Sequence, residues 1–171
     1  MSTRCQIGFY STTNAPLKKF DALLYKHSDG YPGESNEPDS GMIPLLMPFL
    51  IEFNENRGLE DSDYAAAWCM HYLIDKIVER YKNRQDLAKS NWAYIGYSIC
   101  KNLHGDIEYY YAVYPDRLDV FEINRPNPKK FDFTWKDMQI IRTISIADCK
   151  LQFEKNKLKK SKEKLEQLLE K

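Results

Sequence analysis

Six residues near the start of the chain have the types and spacing to hold an anion or move a proton: Arg4, Tyr25, His27, Asp29, Gly30 and Tyr31. An imidazole titrates near neutral pH, so His27 can donate to an anion or act as a general base. Arg4 offers a forked set of charge-assisted donors, and backbone N–H groups around Gly30 could complete a phosphate cradle. Tyr25 and Tyr31 carry flat faces that can stack on a base. With Asp29 orienting His27, the same residues would serve a phosphodiesterase or hydrolase. The string Ser28-Asp29-Gly30-Tyr31-Pro32 also reads as a plain turn, with Asp29 bonding its own backbone and Gly30 at positive φ.

Other chemistry is thinner along the chain. His27 and Asp29 become metal ligands only if folding brings Glu34, His71 or His104 to them, and no His-x-His or His-Glu-x-x-His spacing is present. We therefore expect no metal and no cofactor. There is no Gly-x-Ser-x-Gly turn, and seven glycines leave little room for a phosphate loop. Cys5, Cys69, Cys100 and Cys149 are widely spaced in apolar or mixed runs. They read as reduced thiols, small buried hydrophobes of a cytoplasmic protein. His71, with Trp68 a turn before it, reads as a hydrogen-bonded core histidine, and His104, before Gly105, as solvent-exposed. In Tyr109-Tyr110-Tyr111 the rings alternate between faces, two in the core and one outside. No Lys or Arg is interleaved there, which argues against a single-stranded nucleic-acid platform.

The elements that must position these residues follow from periodicity. Arg4 to Tyr10 alternates as a strand, Ser11 to Pro16 turns, and Phe20 to His27 returns as a second strand with Leu23, Tyr25 and His27 on one face. Such a hairpin brings Arg4 close to His27. A long turn-rich loop over 28–40 follows. Leu46, Phe49, Leu50 and Phe53 then mark the buried face of a helix that has Pro44 in its first turn and Gly58 after its end. Pro48 predicts a kink or a late start. A second helix, capped by Asp61-Ser62 and running over 63–83, presents Ala67, Met70, His71, Ile74, Ile77, Val78 and Tyr81 as its apolar face. Segments 92–100, 107–114 and 118–123 alternate with short turns between them and predict an antiparallel meander. The expected fold is α+β: an antiparallel ββααβββ sheet with two helices packed on one face, plus a C-terminal helix.

At 171 residues and 43% hydrophobic content, one compact domain with an appendage is expected. Residues 1–124 read as the core domain, 125–147 as a segment docking back on it, and 148–171 as a Lys/Glu/Leu-rich helix. That helix holds eight Lys against five acids, so a tail near +3 balances a body near −3 within a net charge of zero. This is too little for duplex DNA. Leu151, Leu158 and Leu165 lie seven apart, but Glu154 and Ser161 interrupt the seam, leaving a dimerisation arm and an exposed helix as alternatives. The longest apolar stretch, 42–51, is too short to span a bilayer, and the N-terminus has no apolar signal region.

Ser2-Thr3-Arg4, the string Tyr25-x-His27-x-Asp29-Gly30-Tyr31-Pro32 and a helix opening with Pro44-Leu45-Leu46 resemble a family of small, largely uncharacterised phage and prokaryotic proteins. The resemblance covers about residues 2–124. It implies a phage or mobile-element origin and a site at the His27 loop, and carries no activity to transfer. The combined expectation is a cytoplasmic binding protein, not an enzyme, that captures a small anionic ligand such as a nucleotide signal in a counter-defence role. Hydrolysis through His27 and Asp29, and protein interaction or homo-oligomerisation through the C-terminal helix, are the alternatives.

Overall fold

The structure is a computed structural model that describes residues 3–33, 41–81, 96–125, 133–151 and 154–155. Its elements are β1 (Cys5–Phe9), β2 (Ala22–Lys26), α1 (Met42–Asn56), α2 (Ser62–Tyr81), β3 (Tyr97–Ile99), β4 (Tyr109–Val113), β5 (Arg117–Ile123) and β6 (Met138–Ser145). The six strands form one sheet in the order β3-β2-β1-β4-β5-β6. The α+β expectation holds, with a mostly antiparallel sheet in which β1 and β4 run parallel. The chain is helical again at 146–151 and 154–155. Residues 156–171, which carry most of the expected leucine seam, lie outside the described residues, as do 34–40 and 126–132. Among the described residues no helix is long and apolar enough to cross a membrane.

The expected meander of the last three strands is corrected. β3 pairs with β2 at one edge, and β4 crosses to the sheet centre beside β1. Burial explains the choice. Tyr110 to Val113 are buried on both faces, which suits a central strand, whereas Ser98 and Ile99 are exposed, which suits an edge. The segment beyond residue 125 supplies the opposite edge, β6, paired along the whole of β5.

Two cores flank the sheet. On one face Ile7, Phe9, Leu24, Tyr111 and Val120 pack against α1 and α2. On the other, Tyr10, Leu23, Tyr25, Tyr110 and Phe121 are covered by loop side chains including Phe20, Leu103 and Trp135. α1 buries Leu46, Phe49 and Leu50 as expected, and begins at Met42 with Pro48 inside it rather than starting late. The apolar face assigned to α2 is corrected: Ala65, Ala66, Cys69 and Leu73 are buried, while Ala67 and His71 of the expected face are exposed. His71 is no core histidine; its side chain is 66% exposed and pairs with Asp75 at 3.2 Å. Small residues let a helix approach the sheet closely, so α2 turns Ala65 and Ala66 inward and leaves Tyr64 and Trp68 outside.

Candidate functional site

The register of the β1–β2 hairpin, Cys5 opposite Lys26, places Arg4 opposite His27 just beyond the ladder. Side chains alternate between faces, so Arg4, Tyr25 and His27 continue the face away from the helices. There they meet the turn that precedes β4. Arg4 Nη1 lies 3.1 Å from Asp106 Oδ2, and the Tyr25 hydroxyl donates to the same oxygen at 3.2 Å. His27 Nδ1 is 3.4 Å from the Tyr25 hydroxyl. The phenol's one proton goes to the carboxylate, so His27 is the donor in that contact. Burial first, and then the Asp106 charge, push the Tyr25 phenol up to about 12, keeping it a donor at neutral pH.

His104 completes the cluster. Its ring stacks on Tyr25 with centroids 4.4 Å apart and planes inclined by 28°. Its Nδ1 faces Asp106 Oδ1 at 3.9 Å, and its Nε2 lies 3.4 Å from Cys100 Sγ. The loop carrying it is pinned by Gln6, a buried amide on β1. The Gln6 side chain donates to the Asn102 carbonyl at 3.1 Å and accepts from the His104 backbone N–H at 3.0 Å. Cys100 is itself held by its backbone N–H, which donates to the Leu23 carbonyl at 2.8 Å. Among the described residues no three His, Cys, Asp or Glu side chains converge as a metal set. Cys100 and Asp106 approach opposite nitrogens of one ring.

The other three expected site residues lie elsewhere. Asp29 is exposed and occupies the left-handed region at φ 53°, which corrects the assignment of positive φ to Gly30. A short polar side chain tolerates that region. Gly30 is buried; its N–H donates to the Thr3 carbonyl at 2.9 Å, and its carbonyl accepts from the Tyr111 hydroxyl at 2.8 Å on the helix side of the sheet. The Gly30 N–H is thus already committed within the protein. The carbonyls of Tyr31 and Pro32 accept from Met42 and Ile43, satisfying two N–H groups at the start of α1, where no side chain caps. The loop over 29–33 is a clasp between β1 and α1. The structure brings together Arg4, Tyr25 and His27, and sets Asp29, Gly30 and Tyr31 on that clasp.

Gln6, Cys100, His104 and Asp106 were missed as site residues, although His104 is 45% exposed as expected of it. Gln6 had a readable signal: a polar side chain between Cys5 and Ile7 on a strand buried on both faces. Cys100 and His104 had only their spacing of four, and Asp106 only its place in a turn.

Elsewhere, a groove of about 610 Å³ between α1 and α2 is walled by rings that include Phe49, Phe53, Tyr64, Trp68 and Tyr72. Several of its polar side chains already have partners. Arg57 bonds Asp61 at 2.7 Å and covers the Tyr64 ring at 3.6 Å, and His71 pairs with Asp75. Convergent polar groups, not volume, mark the Arg4 cluster as the candidate site. No protein-family model, no curated protein and no solved structure matches this chain.

Proposed function

We propose that this protein binds a small anionic ligand, with a nucleotide as the first class to test, and does not turn it over. The observation that supports the reading is the gathering of Arg4 and His104 around one carboxylate, Asp106, with His27 joined to it through the Tyr25 hydroxyl. The Arg4 guanidinium has five N–H donors and meets Asp106 through Nη1, so the same fork has donors left to reach an incoming phosphate. Tyr25 is buried beneath His104, so stacking on a base falls to the outer face of His104. If the chain is of phage origin, a host signalling nucleotide captured in the host cytoplasm is the ligand this reading points to by analogy.

Isothermal titration with a panel of cyclic and ADP-ribose-type nucleotides tests this. We expect heat with at least one of them and recovery of intact ligand after denaturation. Replacing Arg4 with Ala removes charge-assisted bonds worth about 1.5–3 kcal/mol, a loss of roughly ten- to a hundredfold in affinity. Absence of heat across the panel, or chromatography showing product, rejects the reading. The hydrolase alternative that pairs His27 with Asp29 has no such support, because Asp29 is exposed on the clasp and His27 turns Nδ1 to Tyr25.

A further inference from the structure

Cys100 differs from Cys5 and Cys69 in being accessible, and it is the one of these three with an imidazole beside it. Three observations bear on what it can do. Its Sγ lies 3.4 Å from His104 Nε2, within reach for passing a proton. The opposite nitrogen of that ring faces Asp106 Oδ1 at 3.9 Å. That oxygen is buried and has no hydrogen-bond partner among the described residues, while Arg4 and Tyr25 occupy Oδ2. One tautomer, with the proton on Nδ1, leaves Nε2 free to accept from the thiol and turns its N–H towards the unpaired carboxylate oxygen. Gln6 fixes the loop, and Tyr25 supports the ring from behind.

We propose that Cys100, His104 and Asp106 form a thiol–imidazole–carboxylate array competent for acyl transfer from an ester or thioester. His104 Nε2 takes the Cys100 proton, and the thiolate pair forms a C–S bond to the carbonyl carbon as the carbonyl π pair moves to oxygen. Collapse of the adduct breaks the bond to the leaving group, which departs with the proton held on His104. Water, deprotonated by the same Nε2, then attacks the thioester; the C–S bond breaks and Cys100 regains its proton. The net change is ester plus water to acid plus alcohol, with nothing oxidised or reduced. Asp106 touches no reacting atom and acts as a positioning residue that holds the tautomer and stabilises the imidazolium. Contacts of 3.4 and 3.9 Å are longer than those of a working array, and such contacts tighten when substrate binds.

The test uses the full chain and p-nitrophenyl acetate. We expect an initial burst of nitrophenolate close to one per protein, an acetyl group on the Cys100 peptide after acid quench, and loss of both in Cys100→Ser. His104→Ala slows acylation by about a hundredfold or more, the range of a general base. Asp106→Asn slows it too, and Asp106→Glu, whose longer arm can close the gap to Nδ1, restores part of the rate. In the unmodified protein, iodoacetamide alkylates Cys100 before Cys149. No burst, acetylation elsewhere than Cys100, Cys149 labelled as fast as Cys100, or no recovery with Asp106→Glu overturns the proposal. The ester carries no anionic group, so these failures leave anion capture standing, and a silent nucleotide titration leaves the thiol proposal standing.

Discussion

Gly30 sits where the two sides of the sheet end are tied together, with its N–H on Thr3 and its carbonyl under Tyr111. A Cβ placed there would stand 2.8 Å from the Cys5 backbone nitrogen and 2.9 Å from the Arg4 carbonyl carbon. Backbone at a strand start cannot swing aside as a side-chain tip would. Gly30→Ala should therefore cost about 1–3 kcal/mol, the usual range for overpacking. Thermal unfolding would show a fall in Tm of roughly 2–12 °C for a domain of this size. Asp29→Gly, which relieves a left-handed φ, should leave Tm within a degree or two, on the order of the small glycine terms. An unchanged Tm for Gly30→Ala would mean the clasp yields. Gly30 stood out in the sequence, but the reason for its being glycine did not. A turn string shows that some residue takes positive φ; only packing shows that Asp29 does so and that Gly30 makes room for a neighbouring strand. His104 and Gln6, 98 positions apart, have no local pattern to announce their bond.

At the scale of elements, the strands were easier to read than their partners. The period-2 runs located β1, β2, β4 and β5, because alternation is local. Pairing is not local, and β4 beside β1 answers to the burial of both its faces rather than to the short turn before it. Helix α2 illustrates a second limit. Large hydrophobic residues pointed to the face carrying His71, whereas the sheet selected the stripe of Ala65, Ala66, Cys69 and Leu73. The two faces predict opposite outcomes. Leu73, fully buried, should cost about 2–5 kcal/mol when cut to Ala, the usual penalty for a buried leucine. His71→Ala, which removes an exposed contact with Asp75 and a ring contact with Trp68, should stay within roughly 0.5 kcal/mol of the parent. Urea unfolding of both variants checks this, and comparable losses would return His71 to the core.

Across the whole molecule, the buried phenols give the fold a dependence on alkali. Tyr10 and Tyr110 share a hydrogen bond of 2.7 Å between their hydroxyls, and Tyr10 donates on to the Leu17 carbonyl at 2.6 Å. Tyr111 holds Gly30. Burial is the first cause that raises all three phenols, and Tyr25 as well. A free phenol ionises near pH 10. In the unfolded chain these tyrosines therefore begin to lose protons around that pH, while the folded protein keeps them. The folded values lie above the unfolded ones, so the stabilisation is complete below about pH 10 and is lost as pH rises through the folded values, about 12 for Tyr25. Each buried phenol contributes up to about 1.4 kcal/mol per pH unit across that window. Tyrosinate absorbance from the buried set should accordingly appear in one cooperative step together with loss of circular dichroism. Tyr111→Phe removes one such proton and should flatten the fall in stability with pH, while lowering stability at neutral pH by about 1–3 kcal/mol through the orphaned Gly30 carbonyl. Ionisation of the buried phenols near pH 10 with the fold intact would show that water reaches them, and the second core would then be open where Tyr10 and Tyr110 meet.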